Sequence, residues 1–429
     1  TAVLSGAWTT VAGYASSPPS SKTYLTSNAL VRKLLGRPVR VLFAFVFLLA
    51  VISPAGVVFA VVWSAPPVDG VAADPTLQAD NGPVRMLPEP DIQPVSLPEP
   101  EFNVYANTLS GVVPCPLCEL PPRVYVPNST AGTVDVIDPS TFKVIDHFAV
   151  GFIPHHVTPS WDMTQLYVDN EGSSRLTVLD IHTGKPSGSV SIPFPYNLYF
   201  TPDGTKAVDV VERLQRVEFR DPHDWHLLKS VGIPWAGADH LDFSGDGSYL
   251  MISTEYTGKV VKIDINNMAL AGYVHVGGLP IDVKLSPDGR YFYVTNQGRM
   301  GVSVIDPIAM KEINFIPTGR GAHGLQISRD TKSLYVSNRL DGSFSVIDFA
   351  TQAVSAKWYI AGGGSPDMLQ LSPDGTQLWA SGRFSRTVYV MSTVTGALIA
   401  KIPVGSEDHG LTYFPNVGSH SLGHNGVYR

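Results

Sequence analysis

Self-similarity at a spacing of 41 to 43 residues, four strand signals within each unit, and complementary partial units at the two ends of the array predict an all-β fold. The architecture expected is a seven-bladed β-propeller closed by a composite blade, preceded by one N-terminal transmembrane helix and a Pro-rich linker.

Of the 429 residues, 44% are hydrophobic and only 16% charged, which is ample apolar mass for a large core. The 35 prolines and 39 glycines favour many turns over long helices. A formal net charge of -7 argues against the basic face that nucleic acid requires, so no nucleic-acid partner is expected.

In chain order, residues 1–40 are Ser/Thr-rich and carry Lys22, Arg32, Lys33, Arg37 and Arg40 with no acid. They are expected to form a disordered cytoplasmic tail. Residues 41–63, VLFAFVFLLAVISPAGVVFAVVW, run for 23 positions without a charge. That length suffices to cross a hydrocarbon core of ~30 Å, and membrane helices tolerate interruptions such as Pro54 and Gly56. The segment reads as a transmembrane helix or signal anchor, with a cleaved signal peptide ending near Ser64-Ala65 as the rival. Residues 64–122 hold thirteen prolines, eight acids and one arginine, with Leu-Pro-Glu-Pro at 87–90 and again at 97–100. This composition reads as an extended, self-repelling linker. Basic flanks stay in the cytoplasm, so linker and repeat are expected on the extracytoplasmic side, periplasmic or cell-surface. The only cysteines, Cys115 and Cys118 in CPLC, are expected to form a small local disulfide, because Glu119 stands where haem attachment needs His.

The repeat occupies 123–429, with full units beginning near Pro154, Pro195, Ala238, Leu279, Gly321 and Gly364. The unit from Leu279 shows the pattern best. Ile281–Leu285 alternates apolar and polar residues, Tyr291–Val294 is aromatic and β-branched, and Val302–Ile305 alternates again. Between the first two strands lies Ser286-Pro287-Asp288-Gly289, a tight turn in which Pro fixes φ and Gly tolerates φ > 0. The turn recurs as TPDG at 201–204, SGDG at 244–247 and SPDG at 372–375. Residues 123–153 supply three strands and lack the first, whereas 407–429 supply a first strand, HGLTYF, and lack the other three. Joined, they make one blade, giving seven in a ring with no unpaired terminal edge.

Tyr293-Val294-Thr295-Asn296, with Val304-Ile305-Asp306-Pro307 as the third strand, resembles the YVTN family of seven-bladed β-propellers, the YncE-like and lactonase-like repeat proteins. The resemblance covers 123–429 only. It implies the propeller fold and leaves function open among lactonases, a streptogramin lyase, haem-d1-binding proteins and plain binding scaffolds. The third unit departs from the pattern: AVDVVER at 207–213 replaces the YVTN strand and places Glu212 where others have Gln or Arg.

In such a ring, equivalent positions of successive blades converge on one face of the central funnel. The two residues entering each inner strand are His155-His156, Tyr196-Asn197, Asp239-His240, Ile281-Asp282, His323-Gly324, Asp367-Met368 and His409-Gly410. Five of twelve histidines fall in these positions, far above chance placement. The residue ending each second strand runs Ser129, Glu171, Glu212, Glu255, Gln297, Arg339, Arg383, so acids and arginines are sorted to opposite sides. His155, His156, His240, His323 and His409 are therefore expected metal ligands, since imidazole with carboxylate holds a transition metal ion. Glu171, Glu212, Glu255, Asp239, Asp282, Asp367, Arg339 and Arg383 are expected ligand-binding residues, the carboxylates as acid or base and the arginines as anion clamps. The bland alternative is a solvated polar funnel whose side chains satisfy loop backbone. Weaker candidates are His223 and His226 in DPHDWH, His420 and His424 in SHSLGH, and a sequon at Asn128-Ser129-Thr130. One Asp per SPDG turn is too few oxygen ligands for Ca²⁺.

Two functions fit. One is a membrane-anchored propeller binding a small ligand, metal or protein partner at its funnel face, as a scaffold in an envelope complex. The other is an enzyme, a metal-dependent oxidoreductase or a lactonase- or lyase-like catalyst using funnel His and Glu.

Overall fold

The computed structural model describes residues 47–53, 56–62, 102–424 and 427–429. The chain divides into two compact units, Thr1–Pro90 and Asp91–Arg429. Within the first, Phe47–Ser53 and Gly56–Val62 pair antiparallel as a two-stranded hairpin. The expected membrane helix over 41–63 is neither supported nor overturned by this hairpin, since part of that run lies outside the described residues. The rest of 41–63, the tail 1–40 and most of the linker, 64–101, lie outside the described residues. No helix among the described residues is long and apolar enough to cross a membrane.

The second unit holds seven four-stranded antiparallel sheets. We number the blades I to VII by their inner strands: Thr412–Phe414 (I), Pro154–Pro159 (II), Asn197–Phe200 (III), Ala238–Phe243 (IV), Pro280–Leu285 (V), Ala322–Ile327 (VI) and Leu369–Leu371 (VII). All seven are buried along their length, whereas outermost strands such as Lys311–Pro317 are mostly exposed or half-buried. Blade I is the expected composite: Thr412–Phe414 pairs with Arg123–Asn128, in the register Arg123↔Phe414, Val124↔Tyr413 and Tyr125↔Thr412.

Blades pack face to face through apolar residues, for example Val283, Leu285 and Val294 of blade V with Leu325 and Val336 of blade VI. A polar staple recurs beside this packing. Ser253, Thr295 and Ser337 near the ends of second strands donate their hydroxyls to the carbonyls of Ile281, His323 and Asp367 in the next blade, at 2.5, 2.5 and 2.6 Å. Ser381 does the same to His409. In the turns, Asp288 Oδ1 accepts from Ser286 Oγ at 2.5 Å and Arg290 N at 3.1 Å, and Gly289 has φ +72. These aspartates hold their own turns.

The domain starts earlier than Arg123. Val104 N donates to Pro287 O at 2.9 Å, and buried Tyr105 donates its hydroxyl to Leu285 O at 2.9 Å. The disulfide Cys115–Cys118 lies in the same stretch. After Phe414 the chain continues across the turn end of the ring. Asn416 Nδ2 donates to Leu371 O of blade VII, Ser421 N to Trp161 O of blade II, and Leu422 O accepts from Phe200 N of blade III. Arg429 donates to Asp242 Oδ1 and Phe243 O of blade IV, both at 2.9 Å. Residues 415–424 and 427–429 thereby cover the turn end of the channel.

Candidate functional site

The opposite end of the channel carries the histidines. In blades II, IV, V and VI the pairing register shifts between the first strand residue and the fourth, at Pro154/Val157, Ala238/Leu241, Pro280/Val283 and Ala322/Leu325. The two residues skipped are those singled out from the sequence. A bulge frees them from the ladder and re-aims their side chains, a device common beside functional sites.

Deepest on the axis are His156, His240 and His424, all buried. The His156 ring centroid lies 3.6 Å from that of His424 and 5.6 Å from that of His240, and His240 lies 4.7 Å from His424. Neither nitrogen of His156 or of His240 has a hydrogen-bond partner, nor has Nε2 of His424. Burial, reinforced by the neighbouring imidazoles, holds His156 and His424 well below the usual histidine range, so both are neutral. Burial also acts to lower His240, but Asp239, 2.5 Å from its Nδ1, outweighs it and raises the ring. Gly410 belongs to this layer, because a Cβ there would collide with His156 Nδ1.

Above lies a second layer that is partly hydrogen-bonded, with His323 Nδ1 and Asp367 Oδ2 left without partners. His155 Nδ1 meets His409 Nδ1 at 2.9 Å, and His155 Nε2 meets Glu171 Oε2 at 3.0 Å. Glu171 in turn accepts from Arg213 Nε at 2.5 Å. Asp367 Oδ1 lies 2.8 Å from His323 Nδ1 and accepts from Arg339 Nε at 2.9 Å. Burial alone would raise the Asp367 carboxyl; Arg339 and then His323 outweigh it and hold it well below the carboxylate range. Half-buried Tyr196 covers the histidines, its ring 4.8 Å from that of His155 and 6.2 Å from that of His156.

At the mouth stand Glu212, Glu255 and Arg383. Burial, then the charge of Asp239, lifts Glu212 and Glu255 each to about 7. Nη1 of Arg383 is buried without a partner. Of the acids and arginines expected at the mouth, Glu171 and Arg339 are already engaged with Arg213 and Asp367. Asp282 is turned away: its oxygens accept from Val283 N at 2.9 Å and Leu325 N at 2.8 Å, joining blades V and VI.

Other expectations resolve simply. His420 stacks on Trp161 at 5.0 Å, outside the funnel. His226 pairs with Asp224 at 2.6 Å in an exposed turn. Asn128 is fully buried and donates to Asp135 Oδ2 at 3.0 Å, so its amide is not presented to a glycosylating enzyme. Sequence reasoning passed over Arg213 and the buried carboxyl of Asp408, which burial lifts to about 7 and whose Oδ2 accepts from Gly382 N at 2.6 Å. Asp408 sits beside the His409 column, which was its only signal.

The family model described as YncE-like beta-propeller matches residues 103–416. The 6-phosphogluconolactonase of Bacillus subtilis (strain 168) is 26% identical over 197 residues, 42% of this chain and 52% of that protein. The chain thus spans about half the length of this curated relative. Among solved structures, a functionally unknown protein from Desulfotomaculum acetoxidans DSM 771 gives a TM-score of 0.60 at 16% identity, covering 68% of this chain and 98% of that one. Dihydro-heme d1 dehydrogenase NirN in complex with DHE gives 0.54 at 17%, over 68% and 74%. Kuenenia stuttgartiensis hydrazine synthase gives 0.52 at 18%, over 64% and 96%. At these identities the likeness is one of fold.

Proposed function

The chain belongs to the YncE-like β-propeller family, and we propose that it is a binding propeller whose channel imidazoles hold a transition metal ion, with a small ligand at the mouth above it. The observation that carries the reading is His156, wholly buried on the axis with both ring nitrogens unpartnered, among His155, His240, His323 and His409. A polar funnel serving only its own loops would pair these atoms. Arg383 offers an unpartnered donor, Nη1, to an anionic group. The test is elemental analysis of the purified chain after dialysis. Stoichiometric zinc or copper is expected, and metal-free protein that also fails to take up added ions would sink the reading.

A second reading, an enzyme, draws on one feature. Glu212 and Glu255 sit near 7, where a carboxyl serves as general acid or base. The curated relative is a lactonase by name. Hydrolysis of a sugar lactone that falls with Glu212→Gln would favour it over the scaffold.

We place the propeller outside the cytoplasmic membrane, anchored by residues 41–63. The support is the uncharged run and its basic flank. A two-stranded hairpin leaves its edge groups unpaired in lipid, so a helix is the form a bilayer favours for this run. Release of the full chain from membranes by alkaline washing would rule the anchor out.

A further inference from the structure

Two clusters of metal-ligating side chains lie in the channel, and they differ in what their donor atoms already do. In His323, Asp367 and His409, Asp367 Oδ1 accepts from Arg339 and His409 Nδ1 meets His155, while His323 Nδ1 and Asp367 Oδ2 make no hydrogen bond. A guanidinium against the carboxylate also opposes a cation there. In His156, His240 and His424, the donor atoms lie within 4.8 Å of one another and are buried. Five of their ring nitrogens have no hydrogen-bond partner. Unpartnered buried nitrogens are destabilising, and an ion accepting their lone pairs satisfies one from each ring at once.

The surroundings are built for that arrangement. Asp239 Oδ1 lies 2.5 Å from His240 Nδ1 without a hydrogen bond between them, a carboxylate placed beside the ring whose Nε2 is also unpartnered. Gly410 leaves the room that His156 fills. Gly423 does the same for His424: its φ is +119, and a Cβ there would stand 2.5 Å from Leu198 O and 2.6 Å from Tyr199 Cα. No other residue lets the chain pass this close to blade III and still deliver the next side chain to the axis.

Resting on the metal-binding reading above, we propose that the ion is held by His156, His240 and His424, so that the segment 415–429 is part of the metal site and its docking and metal occupancy are one event. Three imidazole nitrogens with no carboxylate in the inner set suit Zn(II) or Cu(II) and not Ca(II) or Mg(II), which take oxygen ligands. Blades II and IV each supply one ligand, and the segment that covers the turn end supplies the third. An ion bound only by the docked form favours that form by mass action.

The full chain, stripped with chelator and dialysed, is titrated with Zn(II), Cu(II) and, as control, Ca(II). One equivalent of zinc or copper and no calcium is expected. His424→Ala should weaken binding by more than about a hundredfold, beyond the roughly 10–100-fold expected for losing an outer partner in Asp239→Asn. His420→Ala, on the same segment but stacked on Trp161, should bind as wild type does. Amide exchange over 417–424 should slow on metal addition in wild type and not in His424→Ala. One equivalent bound with unchanged affinity in His424→Ala overturns the role of the segment and leaves the channel reading standing; no uptake by wild type overturns the channel reading itself. Should His424→Ala fail to fold, the nitrogen hyperfine pattern of Cu(II)-loaded wild type decides. Three coupled imidazoles support the set, and fewer overturn it.

Discussion

At Asp169 a carboxyl stands where the second strands of blades IV to VII carry the hydroxyls of Ser253, Thr295, Ser337 and Ser381. It is fully buried with neither oxygen partnered, and burial, then the charge of Asp209, pushes it well above the carboxylate range. A carboxyl whose folded pKa exceeds its unfolded value contributes stability in full below the unfolded pKa and loses it as pH rises through the folded one. Asp169→Ser, which restores the hydroxyl of the other blades, should therefore stabilise the protein at pH near 8 by about 1–3 kcal/mol and change little near pH 4. Thermal unfolding at the two pH values reads the difference; equal shifts at both would mean the carboxyl is not the cause. The same repeat logic made the histidine column legible, because equivalent positions recur at equal offsets. It failed where a residue has no equivalents, as at His424, or where one blade spends the position on its neighbour's backbone, as at Asp282. Offset alone cannot tell a side chain aimed at the axis from one that accepts an amide.

Among the segments, the strands were legible from alternation and turn chemistry, while the two stretches covering the turn end were not. Val104 and Tyr105 are a two-residue anchor inside proline-rich sequence, too short to show any period, and the segment 415–429 has no repeat pattern at all. The run 41–63 illustrates the converse limit, since a continuous apolar stretch has no period that separates strand from helix. Asp242 ties both covering stretches to the ring. It accepts from Arg429 Nη2 at 2.9 Å, from Leu285 N at 2.8 Å and from Tyr105 Oη at 3.4 Å, with no exposure to water. Breaking a buried ion pair from one side leaves the other charge uncompensated, so Asp242→Ala should cost about 3–5 kcal/mol. Hydrogen exchange should quicken in both 103–109 and 417–424. Faster exchange in one stretch only would show that they dock independently.

Closure of the ring rests on three ladder pairs, Arg123↔Phe414, Val124↔Tyr413 and Tyr125↔Thr412, with a further bridge Asn128↔Asp408, and it was the feature most readily deduced from the sequence. Two partial units that lack complementary strands have one way to bury their edges. What the repeat could not foretell is that the residues beyond that strand return along the channel, so that closure and site share one segment. Two truncations separate them. Removing 407–429 deletes the inner strand of blade I and exposes the edge of Arg123–Asn128, with its unpaired amides and carbonyls. Aggregation, or loss of a single cooperative unfolding transition, is expected. Removing only 418–429 keeps all three pairs and deletes His424 and Arg429. That shorter form should remain monomeric and unfold cooperatively at a lower temperature, yet retain no metal after dialysis. If the first truncation stays monomeric with unchanged melting, the composite blade is not what closes the ring. If the second still holds an equivalent of zinc or copper, the channel binds its ion without the segment that covers it.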